Sequence, residues 1–365
     1  MSDTPDRALP APAPSAQPAP ERAIAPASII AALLLALLAV AAWFWSDVLL
    51  LTFGAILLAV ALRAGARGLH RLVGLNIKIG VLAVVLLVIG AIVGVAALAG
   101  PAIREQFDQL IGTLPDSWEA LNRWLSGTTM GEAVQARMEE GADLGDSAVE
   151  MAQRLPDLIG TVSGAVNSTV GGIMSVFLML IVALYLALEA ERYRAGAVRL
   201  LPIRHRARAL SILDEMGGKL GLWLGGQALD MLAVGIMAGV GLWLLDVPLA
   251  FILALIAAVT NIIPIIGPFI SGAIAVLFAF TQGFDLALQV AILFIVIQLI
   301  DGEIILPLIQ RFAVSLPPAL TVVGIMAFGS LFGLAGVLLA TPLLVVLIVL
   351  IQRAYVEDVL GDDLD

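Results

Sequence analysis

Two pairs of polar residues interrupt otherwise apolar helical stretches of this chain. Gln227 and Asp230 form the first pair, Gln298 and Asp301 the second, and each pair is spaced three residues apart. A carboxylate at membrane depth costs roughly 2.5 to 3.5 kcal/mol on the insertion scale. Asp230 should therefore face a bundle interior or a water-filled cavity, where a carboxyl can take and release a proton. The plainer alternative is a structural carboxyl held by an amide or by backbone. Asp301 and Glu303 lie two apart, so their side chains diverge by about 200 degrees around a helix. The i,i+3 spacing places Asp301 on the face of Gln298. Glu303 reads as a solvated helix end or a partner for Arg311.

Each polar pair precedes an apolar stretch that is broken at its middle. The first, from about 250 to 280, is broken by Asn261-Ile-Ile-Pro264-Ile-Ile-Gly267-Pro268. The second, from about 319 to 350, is broken by Phe328-Gly-Ser-Leu-Phe-Gly333-Leu-Ala-Gly336. Pro264 and Pro268 remove backbone donors, and Gly267 adds conformational freedom. Carbonyls freed at such a break survive in a membrane only where protein or a water-filled cavity surrounds them. With Thr260 and Asn261 at the same level, they could coordinate a cation or hydrogen-bond a polyol. A hairpin tip that only makes the turn is the alternative. Paired interrupted segments in two halves of a membrane protein point to a transport site. The candidate substrate or ion site is therefore Gln227, Asp230, Asn261, Pro264, Gly267, Pro268, Gln298, Asp301, Gly333 and Gly336.

Composition sets the stage for these residues. Of 365 residues, 61% are hydrophobic and 13% charged, against roughly 25% charged in soluble proteins. Several apolar runs exceed the length needed to cross a bilayer. The chain is expected to be an all-α polytopic membrane protein. It has no Cys, which excludes disulfides and thiolate metal sites, and its two His, His70 and His205, lie in basic segments. No metal site or cofactor is expected. There is no His-Glu-x-x-His, and Leu213 stands where a Walker A loop needs its first Gly. An enzyme and a nucleotide-driven pump are thereby disfavoured. The Arg residues are accounted for as inside-loop charges, so nucleic acid is not an expected partner; membrane lipid and a small solute or ion are.

Residues 1–27, rich in Pro and Ala, are expected to be disordered. Residues 28–100 hold three spans, at about 28–44, 48–62 and 79–98, with Trp43 and Trp45 at an interface. Residues 101–170 carry eleven acids and four Arg, with apolar residues at helical spacing. They read as two or three amphipathic helices, the second capped at Pro115-Asp116-Ser117. A small cap packed on itself or on the membrane surface is expected; an oligomer contact or gate is the alternative. Residues 171–352 form the transport core, with full spans at about 173–188, 220–245 and 286–306 and two broken hairpins at 249–281 and 318–350. An acidic tail, 353–365, ends the chain.

Basic segments at 63–78 and 192–219 read as cytoplasmic loops, and the acidic 101–170 segment as extracytoplasmic. Arg311 and Arg353 are also inside if each broken stretch returns to the face it entered from. Six full spans and two broken helical hairpins result, and the two core halves form an inverted repeat. Both termini are then cytoplasmic.

Asn261 to Pro268 resembles the proline-glycine motif of the autoinducer-2 exporter family of bacterial membrane transporters. Gln298 to Pro307, Pro317, Phe332-Gly333-Leu-Ala-Gly336 and Ala340-Thr-Pro342 resemble its second signature. The resemblance covers about 29–355. It departs at Glu303, in place of a polar amide, and at Asn261, where many members carry an acid. It implies a permease of the bacterial inner membrane, either exporting a small polar solute or signal molecule or exchanging sodium for protons. It also implies a homo-oligomer, with a pentamer as one form. An uncoupled channel formed by the oligomer is the remaining class.

Overall fold

A computed structural model describes residue 40 and residues 44–127, 171–310 and 316–362. The expected disordered N-terminus, most of the first span, residues 128–170 and Arg311 lie outside the described residues. All regular structure among the described residues is helical. Five helices are long and apolar enough to cross a membrane, and Met174–Leu188, bent by 88° from Ala190–Arg199, adds a sixth candidate. The chain is an all-α polytopic membrane protein. The elements from Asp47 onward belong to one compact unit, Asp47–Asp365.

In chain order the helices are α1 (Ser46–Val73), α2 (Ile77–Leu98), α3 (Gly100–Gly127), α4 (Gly171–Leu188) and α5 (Ala190–Arg199). They continue with α6 (Ile203–Leu244), α7 (Ala250–Thr260), α8 (Ile266–Ala279), α9 (Phe284–Ile300), α10 (Leu306–Gln310) and α11 (Pro318–Leu350). The basic segments expected as loops are largely helical. α1 runs on to Val73, with His70 and Arg71 in its last turn, where cations complement the helix dipole. Asn76 then caps α2 by accepting from the Lys78 N–H at 3.0 Å. Residues 203–219 continue into the span as the first half of α6. Polarity there does not end the helix.

The cap expected at Pro115-Asp116-Ser117 is also overturned. α3 passes unbroken through Pro115. Ser117 is fully buried, and its hydroxyl donates to the Thr113 carbonyl at 2.8 Å. An interior Pro costs about 3 kcal/mol, and tertiary packing offsets it. Leu110 joins the core built by α7, α8 and α9, with Ile103 and Phe107 against it. Trp124 stacks on Phe284 at 4.5 Å and tilts against Phe280 at 6.1 Å. The Gln106 side chain accepts from the Ile252 N–H at 3.2 Å, so it satisfies a donor that the first turn of α7 leaves open. The described part of the amphipathic segment therefore lies on the first broken stretch, not on itself.

The two broken stretches turn back by different devices. α7 and α8 are separate helices joined through Asn261–Ile265. α11 holds two helical arms that meet at Gly333, whose φ 62° and ψ −146° are not helical. A β-carbon on Gly324 would fall 2.5 Å from Leu344 Cδ1. In a straight helix those positions would stand about 30 Å apart, so α11 folds back on itself at Gly333. Its two arms form a second helical hairpin, although their combined length is that of one long span.

Candidate functional site

α6 is the axis of the site. Gly235 faces Ala258 and Gly239 faces Ala254 of α7; β-carbons on the two glycines would fall 2.8 Å and 3.3 Å from the respective alanine β-carbons. Small residues four apart on both helices let the backbones approach, the usual route to tight packing in a membrane. The same pairing, continued toward the end of α7, brings Asn261 beside Asp230. On another side, α9 packs antiparallel to α6. Leu293 presses on Gly241, and Ile297 packs with Val234 and Ala238. Continued one turn further, that register sets Asp301 against Asp230.

The hydrogen bonds follow from this register. The Asn261 Nδ2 donates to Asp230 Oδ2 at 2.8 Å, and the Gln227 Nε2 donates to the Asn261 backbone carbonyl at 2.8 Å. One side chain of α6 thus holds the freed carbonyl at the break, while the break supplies a donor to the α6 carboxyl. Asp230, Asn261 and Asp301 are 7%, 2% and 8% exposed. The Asp301 carboxyl interacts directly with that of Asp230. The Oδ1 atoms of both are buried and find no hydrogen-bond donor among the described residues. Two such carboxylates cannot both stay charged and dry without a proton or a cation between them.

Asp301 opens a π-helical turn, Asp301–Ile305, in which the Leu306 N–H reaches back to the Asp301 carbonyl. Pro307 explains the widening. Its ring would strike the carbonyl of residue 303 in a regular α-helix. Short π turns of this kind recur at functional sites.

The structure brings four of the expected residues together: Gln227, Asp230, Asn261 and Asp301. Pro264, Gly267 and Pro268 shape the adjacent turn. Gly267 is buried, and its role differs from the one expected. Its φ is not positive; instead a β-carbon there would lie 2.0 Å from the Thr260 carbonyl oxygen. The positive φ belongs to Ile265, at 72°. Gln298 is not part of the cluster. It is exposed and lines an apolar recess of about 520 Å³ between α8 and α9 with Pro268, Phe269 and Phe294. Three residues advance a helix by about 300 degrees. The remaining 60 degrees puts Gln298 outside while Asp301 turns in. Glu303 is exposed. Gly336 is buried against the Phe328 carbonyl, 2.0 Å from where its β-carbon would be. Gly333 is exposed, and the described hydrogen bonds link neither glycine to the carboxyl pair.

Residues beyond the expected set also hold the core. Arg353 donates to Glu215 at 2.7 Å and pairs with Glu357; Arg208 bonds Glu357 at 2.7 Å and Asp358 at 3.0 Å. These pairs tie the helical extension after α11, Ile351–Leu360, to the polar half of α6. The acidic tail and the basic segment both signalled charge in the sequence, but not that they meet.

The family pattern described as AI-2E family transporter matches residues 32–355. The chain is 28% identical to the putative transport protein YueF of Bacillus subtilis over 269 residues, 72% of this chain and 73% of that protein. It is 26% identical to the putative permease PerM of Escherichia coli over 246 residues, 67% and 65% of the two chains. With the AI-2 transport protein TqsA of Escherichia coli it shares 27% identity over 183 residues, 49% of this chain and 52% of the other. A polytopic helical membrane protein whose sequence matches over nearly its whole length belongs to the AI-2E transporter family.

Proposed function

We propose that the chain is a secondary transporter of the bacterial inner membrane whose coupling site is the carboxyl pair Asp230 and Asp301. The observation that carries this reading is the pair itself. Two buried carboxyls from different helices face each other, each with one oxygen lacking a donor, at the level of a break whose Asn261 bonds one of them. Such a pair holds one proton or one cation more stably than none or two. Binding of that ion changes what α6, α9 and the first hairpin can exchange with each other, which is the physical requirement for coupling. The moved solute is small and polar, as a site lined by Asn261 and two carboxyls would favour; the related TqsA is an AI-2 transport protein. The direction is outward, and the two hairpins form the halves of an inverted repeat around the site.

The unpartnered oxygens also favour a second reading, sodium/proton exchange with no organic solute. Both readings meet in one experiment. Purified protein is reconstituted in proteoliposomes, and solute and proton fluxes are followed under imposed proton or sodium gradients. Gradient-driven solute movement supports the first reading. Proton movement driven by sodium alone supports the second. Solute flux indifferent to both gradients would support an uncoupled channel and remove the carboxyl pair from the mechanism.

A further inference from the structure

At Glu189 the chain turns by 88° from α4 into α5. α4 is apolar throughout, and a helix set nearly at right angles to a span would lie along the membrane surface. One face of α5 is committed inward. Val198 is buried, and Arg194 pairs with Asp214 of α6 and with Glu191. Arg206 is committed too, donating to the carbonyls of Leu201 at 3.0 Å and Arg199 at 3.1 Å. It thereby fixes the turn between α5 and α6.

The outer face is different. Arg192 and Arg199, two helical turns apart, lie on one side of α5. With Tyr185, Glu189 and Tyr193 they line a recess of about 910 Å³. Arg192 bonds Glu189 at 3.2 Å but stays 83% exposed at its side chain. Arg199 and Arg204 are exposed and carry no ion pair among the described residues. From 189 to 206 there are five Arg against two acids, Glu189 and Glu191. Beside them stand Leu200, 89% exposed, and Ile203, 80% exposed. Water would not favour that apolar pair, whereas the acyl boundary beneath a headgroup layer would. Guanidinium groups match phosphate oxygens in a bidentate fork. Tyrosines at this level suit the interface.

We propose that this elbow is a binding site for the phosphate headgroup of an anionic phospholipid. Arg192, Arg199 and Arg204 take the phosphate, and Leu200 and Ile203 enter the acyl layer beside it. Basic clusters next to a span recognise anionic lipid in this way, each cation strengthening binding on the order of 5-fold.

The test is native mass spectrometry of the detergent-purified full chain titrated with phosphatidylglycerol or phosphatidylcholine. The parent protein retains phosphatidylglycerol preferentially. Arg192→Gln/Arg199→Gln/Arg204→Gln weakens its tightest adduct on the order of 100-fold. The control Arg67→Gln/Arg71→Gln/Lys78→Gln, which removes as much charge from another basic segment, leaves that adduct in place. If the triple elbow variant is not monodisperse, Arg199→Gln alone carries the test, with a loss of roughly 5-fold. Excess inorganic phosphate fails to displace the lipid, because it lacks acyl chains. Equal retention of phosphatidylcholine, parent-level affinity in the elbow variant, or displacement by inorganic phosphate at concentrations comparable with the lipid would overturn the assignment.

Discussion

Ile265 holds φ 72° and ψ −58°, and the Ile266 N–H donates to the Pro264 carbonyl at 2.9 Å across it. That is a classic γ-turn, a rare and strained conformation, here centred on a β-branched residue. Replacing Ile265 with Gly or with Ala separates the strain from the loss of the side chain, since both variants delete it. A left-handed backbone costs a residue with a β-carbon roughly 1–2 kcal/mol. Gly escapes that cost but loses about 0.5–1 kcal/mol through its freer unfolded chain. Ile265→Gly should therefore be more stable than Ile265→Ala by about 0–1.5 kcal/mol. At an ordinary position the order reverses by about 0.5–1 kcal/mol. The sign decides. Thermal unfolding of the two variants, in the same detergent and at the same scan rate, should put the Gly variant higher, on the order of 1–2 °C for a chain of this size. The mirror experiment is Gly333→Ala. Gly333 takes φ 62° and ψ −146° with no atom within 4 Å of where its β-carbon would stand. Its loss of about 1–3 kcal/mol is then backbone alone. If Ile265→Ala proves the more stable of its pair, the first tip is not a strained γ-turn and the reasoning fails.

Three further outcomes are expected. Asp230→Asn and Asp301→Asn each keep size and remove one of two facing carboxyls, so the pH dependence of transport should vanish while insertion persists; an unchanged pH profile would leave the pair structural. Single Cys residues at Ser126 and Ser211, in a chain with no native Cys, should label from opposite sides of the membrane, and labelling of both from one side would refute the orientation and the inverted repeat with it. Arg353→Gln strips one cation from Glu215 and Glu357, so it should lower the melting temperature, with the deficit shrinking in high salt as the Arg353 pairs of the parent are screened; a deficit that ignores salt would mean packing, not charge, holds that extension.

Much of the membrane architecture could be read from apolar run lengths, because bilayer thickness constrains them directly. The pairing of Asp230 with Asn261 was legible only in part. The sequence showed both residues to be polar in apolar surroundings, but the Gly235–Gly239 seam that aligns them is a packing fact. Gln298 misled for a geometric reason: an i,i+3 spacing leaves 60 degrees between two side chains, enough to put one in a protein interior and the other toward lipid. The cap expected at Pro115-Asp116-Ser117 misled because Pro usually ends a helix. In α3 the packing of Leu110 and the stacking of Trp124 prevail over that local preference. Contacts such as Gln106 to Ile252 link positions far apart in the chain, and no local pattern announces them.

The two broken stretches show how similar sequence signals reach different physical ends. Both turns bring a glycine against a carbonyl: Gly267 onto Thr260 and Gly336 onto Phe328, each with a β-carbon position 2.0 Å from the oxygen. That contact locks the arms together, so a β-branched residue at Gly267 removes folding along with any transport. Gly333→Val, at an exposed position with open space, is the cleaner probe of the second tip. The positive φ is handled by Gly333 in one hairpin and by Ile265 in the other. Only the Ile265 tip adjoins the carboxyl pair, through Asn261. A glycine there would relax the turn, while isoleucine keeps it strained beside the buried charges. Strain concentrated at one tip, and absent where glycine supplies the positive φ, follows the site rather than the fold. Under the coupling proposed above, the first hairpin is the half in which ion occupancy at Asp230 and Asp301 would be converted into movement, and the second is the half held by the Arg353 and Arg208 ion pairs to α6.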